Sequence, residues 1–242
     1  MLQKTTILLL AALLFSGCRP ADNSQALRNQ PVPPRTADYT LRLPEGWQQI
    51  ATQTSQTYTS PIAFTPAKEK TVYYFNSASQ IASAPSNEGY YRELLGKTAE
   101  GKRVVQDFYQ SSQTPQTAPF VLADDANIES FDSDGSDGRI VCFSRGGDVA
   151  QIGDFKQGAS DNIIVNVRRG KAVLAMEKTS QGITNYILDD NAQIASLVNK
   201  QGDTLRAILF YPNGSAMFQG DMTQNQEKFH TAYCWNESAQ PI

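Results

Sequence analysis

Three sets of residues in this chain have types and spacings that could do chemistry. The first is the cysteines Cys18, Cys142 and Cys234, whose thiols could be acylated or oxidised. The second is Asp132-Ser133-Asp134-Gly135-Ser136-Asp137-Gly138. Alternating carboxylates and glycines can wrap a hard cation such as calcium, which takes six or more oxygens. Asp132, Asp134 and Asp137 are the candidate ligands. A calcium loop of the helix-loop-helix kind also needs a later bidentate Glu, and the matching region, Cys142-Phe143-Ser144, supplies none. An acidic hairpin turn between Ile128–Phe131 and Arg139–Phe143 is therefore the preferred reading, without a bound metal. The third is His230, the single histidine. Any His-based metal site or nucleophile–histidine pair would have to use it. It lies in the alternating stretch Lys228 to Trp235, which reads as a final strand with His230 at its surface. No Gly-x-Ser-x-Gly, phosphate loop or paired metal-binding motif occurs. No catalytic residue and no cofactor is expected, although 24 acidic residues leave carboxylate chemistry open.

Cys18 owes its interest to its position. Lys4 is the only charge ahead of an apolar run from Ile7 to Phe15. That run is shorter than the ~20 residues a bilayer span needs, so it reads as a secretory signal, not a transmembrane helix. It ends in Leu14-Phe15-Ser16-Gly17-Cys18, which resembles the bacterial lipobox, Leu-(Ala/Ser)-(Gly/Ala)-Cys, with Phe15 in the usual Leu position. The resemblance implies that residues 1–17 are a signal peptide, that cleavage falls before Cys18, and that the Cys18 thiol carries diacylglycerol with further acylation on the new amine. Each buried methylene contributes about 0.8 kcal/mol, so two or three chains anchor durably. Asp after the lipidated cysteine favours inner-membrane retention in enterobacterial lipoproteins. Arg19 stands there instead, and the outer membrane is expected over the inner.

Removal of residues 1–17 leaves 225 residues and, with Lys4 gone, changes the formal net charge from −3 to −4. Nothing in that balance suggests nucleic-acid binding. Residues 18–37 carry Pro20, Pro31, Pro33 and Pro34 among Asn, Gln, Ser and Ala, and read as a flexible tether behind the lipid. Residues 38–242 are long enough for one domain or a repeat array. Their frequent Tyr, Phe, Val, Ile and Thr, in short runs broken by turn residues, point to antiparallel β-structure. Leu43-Pro44-Glu45-Gly46-Trp47 reads as a strand ending in a turn.

Five segments align within that domain. They are Tyr74 to Ala78, Phe108 to Ser112, Phe143 to Gly147, Met176 to Ser180 and Phe210 to Gly214, with starts 34, 35, 33 and 34 residues apart. Each cycle holds about three strands, so the expected fold is an all-β, antiparallel meander of repeated hairpins in a single elongated or curled sheet. Phe210-Tyr211-Pro212-Asn213-Gly214 resembles the Tyr/Phe-x-Asn-Gly turn of MORN-variant repeats, a family of short β-hairpin units, and Gly146-Gly147 stands at the matching place earlier. The resemblance implies a binding or scaffolding surface. In a flat meander Cys142 and Cys234 would lie about eight strands, or ~38 Å, apart at the ~4.8 Å strand spacing. A disulfide needs Cα atoms within ~7 Å, so their pairing would require the sheet to close or fold over, and buried free thiols are the simpler expectation.

These features together suggest a lipid-anchored, non-catalytic envelope protein with an envelope or surface protein as partner. The alternative is a carboxylate-dependent hydrolase acting on envelope polymers.

Overall fold

The computed structural model describes residues 31–123, 127–131, 135–155, 162–180, 182–223 and 229–242. The signal segment, Cys18, Asp132 and Asp134 lie outside these residues. The described chain forms one antiparallel, unclosed meander of fourteen strands. In chain order they are β1 (Thr65–Phe75), β2 (Ile81–Ala82), β3 (Tyr90–Lys97), β4 (Arg103–Tyr109), β5 (Phe120–Leu122), β6 (Ser136–Phe143) and β7 (Val149–Phe155), then β8 (Asn162–Arg168), β9 (Lys171–Thr179), β10 (Gly182–Leu188), β11 (Ile194–Gln201), β12 (Thr204–Phe210), β13 (Ala216–Thr223) and β14 (Thr231–Cys234). Sequence neighbours pair throughout, except that β2 folds back along the outer side of β1 and leaves β3 to pair with β1 directly.

Contacts divide the chain into two compact units. One gathers Arg42–Gln181 with Asp190–Ala192, and the other gathers residues 31–41, Gly182–Asp189 and Gln193–Ile242. In the first, Val105, Phe120, Leu122, Ile140, Phe155 and Ile164 form a buried cluster. In the second, Ala207, Phe218 and Cys234 pack together. Strand alternation supplies these residues: successive side chains point to opposite faces, so one set is buried and the other meets water. A single α-helix occurs among the described residues, α1 (Trp47–Ala51), which follows Gly46 in the left-handed conformation at φ 70°. The expected turn falls at Glu45 and Gly46, but residues 43–44 form no strand and a helix follows the turn. Arg139 donates to the Glu45 carbonyl at 2.7 Å and fixes the turn that leads into it.

One turn geometry recurs six times among the described residues: Asn76–Gln80, Thr98–Lys102, Ser144–Asp148, Asp189–Gln193, Tyr211–Ser215 and Asn236–Gln240. In each, the first N–H donates to the fifth carbonyl, over 2.8–2.9 Å. In each, the fourth residue has positive φ: Ser79, Gly101, Gly147, Ala192, Gly214 and Ala239. The pattern is a four- to five-residue hairpin loop closed by a left-handed residue. It also corrects the sequence alignment. Phe75, not Tyr74, precedes the turn equivalent to those after Phe143 and Phe210. Met176 lies inside β9, away from any such turn.

The turns after Phe143 and Phe210 carry the same attachment. Residues 34–39 dock on the second: Thr36 N–H donates to Gly214 O and Ala216 N–H to Pro34 O, both at 2.9 Å. Residues 53–58 dock on the first: Ser55 N–H donates to Gly147 O at 2.7 Å and Val149 N–H to Gln53 O at 3.4 Å. Arg35 bridges Ser215 as Thr54 bridges Asp148. Tyr39 meets Phe210 edge-on with centroids 5.9 Å apart, and Tyr58 meets Phe143 at 6.3 Å. Cross-strand ion pairs match as well, Arg206–Asp221 and Arg139–Asp154, at 2.7 and 2.6 Å. Residues 34–37, expected as tether, are thus bound to the β12–β13 turn.

Gly214 sits at φ 81°, and a Cβ there would stand 2.6 Å from Thr36 Oγ1. Gly214→Ala is expected to lower stability by about 1–2 kcal/mol, the cost of an L-residue in the left-handed region. It should also open residues 34–39 to limited proteolysis, and Gly214→Asn should cost less. Unchanged denaturation midpoints with an uncut N-terminal segment would show that the attachment does not depend on this glycine.

Candidate functional site

β1, β3 and β4 carry different chemistry on their two faces. Register pairs Tyr73 with Arg92 and Arg92 with Asp107, and this set points into the core. Arg92 Nε and Nη2 donate to the two Asp107 oxygens at 2.7 and 2.9 Å. Its remaining nitrogen, Nη1, donates to the carbonyls of Ser130 and Ile128. The guanidinium lies 5.4–5.7 Å from the ring centroids of Phe75, Phe120 and Phe131. Arg92 is 2% exposed and Asp107 3%. Burial pushes the Asp107 carboxyl up, and Arg92 opposes it. Every polar group of the pair is spoken for within the protein, and this is the organisation of a structural pair.

The opposite face of the same strands meets solvent. Tyr74 pairs with Tyr91 and Val72 with Glu93, and Tyr91 pairs with Phe108. The rings form a row: Tyr74–Tyr91 centroids are 6.5 Å apart, and Tyr91–Phe108 rings stack at 4.9 Å and 8°. Lys70 and Glu93 close one end as an ion pair at 2.5 Å. A groove of about 350 Å³ lies over this row, walled by the loop at Pro85–Asn87 and by Gln113. That volume is at the lower end of small-ligand sites.

The wall is held in place. Gln110 Nε2 donates to the carbonyls of Phe75 and Tyr90 at 3.1 and 2.6 Å, and its Oε1 accepts the Ser86 N–H. Gly89 lets the loop approach, because a Cβ there would stand 2.2 Å from Phe75 O. Burial raises the Tyr91 phenol above its ordinary value. None of these groove residues is singled out by sequence. Tyr74 and Phe108 are visible only as members of repeat segments, and the signal that could have raised them is the alternation Val72, Tyr74 against Tyr91, Glu93.

Among the described residues, those that sequence singled out do not converge. Asp137 lies in β6, not in a turn, and its carboxylate meets Lys102 Nζ at 2.6 Å. No group of three metal-ligating side chains occurs among the described residues, and Asp132 and Asp134 lie outside them. His230 is exposed just ahead of β14, with its N–H on Asp221 O. Cys142 carries a free thiol on β6, 3.8 Å from Gln151 Oε1. The Cys142–Cys234 bridge left open by the sequence is thus not formed. The sheet does not close, and β6 and β14 are not neighbours in it. Cys234 is buried beside Ala207 and Phe218 and is disulfide-bonded, so the free thiol expected there is not found.

Two measurements check these assignments. Arg92→Met leaves a buried carboxylate without its partner and is expected to cost about 3–5 kcal/mol, whereas Arg92→Met with Asp107→Leu should recover most of it. Equal losses in the single and double variants, read by urea denaturation, would show that the charge is not what matters. Burial pushes the Cys142 thiol up to about 12. Folding therefore favours the protonated form, and alkylation at Cys142 near pH 8 should be negligible in the native protein, appearing only with unfolding. Rapid native modification, located by peptide mass, would contradict its burial. Compared with protein-family models and with characterised proteins, the chain matches none.

Proposed function

We propose that this protein is a lipid-anchored component of a bacterial cell envelope, which uses its β-meander as a non-catalytic surface for binding or scaffolding an envelope or surface protein. The single observation that carries the reading is Leu14-Phe15-Ser16-Gly17-Cys18 at the end of a short apolar run behind Lys4. No helix among the described residues is long and apolar enough to cross a membrane, so lipid on Cys18 supplies attachment in this reading. Pro34 and Arg35 are held on the β12–β13 turn, so the flexible tether of this reading ends before them. Arg19 after the cysteine favours the outer membrane. An open meander offers extended faces, and repeat surfaces of this kind serve recognition, though a fold alone does not decide function.

Cys18→Ala is expected to abolish labelling by a fatty-acid probe and to shift the protein from the membrane fraction to the soluble one. Undiminished labelling or unchanged sedimentation would sink the anchor. Crosslinking the lipidated protein in its own cells should give a defined protein adduct, and adducts to lipid alone would overturn the protein-partner reading.

A further inference from the structure

We infer that the groove over β1 and β3 is a binding site for a neutral saccharide, taking one or two sugar residues of a longer glycan. The site is preformed. Gln110 spends its whole amide on fastening the loop to Phe75, Tyr90 and Ser86, and Gly89 gives up its side chain to let that loop close. A solvent-facing loop gains little from such fastening unless the space beneath it matters. Beneath it are the rings of Tyr74 and Tyr91, with Val72 alongside. A pyranose ring matches this lining, because its axial C–H groups pack against aromatic surface while its equatorial hydroxyls need donors and acceptors at the rim. The rim has both, in Ser86, Asn87, Gln113 and Glu93.

The charge balance of the lining favours a neutral ligand. Lys70 and Glu93 satisfy one another at 2.5 Å, so the groove presents no net charge to an entering molecule. The volume, about 350 Å³, suits a small polar ligand and not a folded surface.

This site stands apart from the lipid anchor and from any protein partner, and it can be tested without either. Maltohexaose, cellohexaose and chitohexaose would each be titrated into the full mature chain carrying Cys18→Ala, with amide shifts followed by nuclear magnetic resonance. At least one should saturate, with shifts confined to β1, β3 and residues 83–89. Tyr91→Ala should weaken that binding about tenfold, and Tyr91→Phe should retain most of it with an unchanged melting temperature. No saturable shifts with any of the three, shifts elsewhere on the protein, or equal affinity in Tyr91→Ala would each overturn the inference. Tighter binding of oligogalacturonate than of all three would overturn its neutral character. Loss of membrane attachment in Cys18→Ala bears on the anchor alone, so the two readings fail separately.

Discussion

The constraint on which this molecule depends is the reversal at the end of each hairpin. A meander satisfies its backbone only if each turn returns the chain in register, since a slip of one residue moves a whole strand's buried set into solvent. Here the reversal is made six times among the described residues by one device, a five-residue turn whose fourth member has positive φ. Glycine fills that position in three turns, at Gly101, Gly147 and Gly214. Ser79, Ala192 and Ala239 fill it in the others, where an L-residue is strained. Those three share a compensation. Their first residues are Asn76, Asp189 and Asn236, and in each Oδ1 accepts the N–H of the fifth residue. In the two Asn turns it also accepts the third N–H. The fifth residue is Gln in all three, at Gln80, Gln193 and Gln240.

That difference explains what the sequence disclosed and what it withheld. Asn213-Gly214 and Gly146-Gly147 are visible as turns because glycine announces positive φ. Asn-x-x-Ser-Gln and Asp-x-x-Ala-Gln do not, since their signal lies in a side chain that substitutes for glycine's freedom. Strand positions were legible because apolar alternation marks them, as at β7, whose bounds Val149–Phe155 can be read directly. The alignment of Tyr74 was one residue out because aromatic residues stand at both Tyr74 and Phe75, and only the turn tells them apart.

The docked segments were hidden for a further reason. Pro34 to Tyr39 and Gln53 to Tyr58 have little sequence in common beyond the tyrosines and their spacing of 19 residues. What they share is backbone pairing, which composition does not record. Each contributes an N–H to the fourth carbonyl of a turn and accepts from the first residue of the following strand. Each tyrosine then covers the phenylalanine that ends the preceding strand.

The groove is a consequence of the same alternation. A strand that buries Phe75, Arg92 and Asp107 on one side must place Tyr74, Tyr91 and Phe108 on the other. The Arg92–Asp107 pair therefore does more than hold charge in the core. It bonds adjacent strands β3 and β4 side by side, and the same strands carry the stacked Tyr91 and Phe108 rings on their outer face. The rings stack at 8° because their strands are held in that register, so the buried face sets the geometry that the exposed face presents. Loop residues 83–89 could then close over a platform already rigid, with Gln110 on the chain leaving β4 as the link between wall and floor.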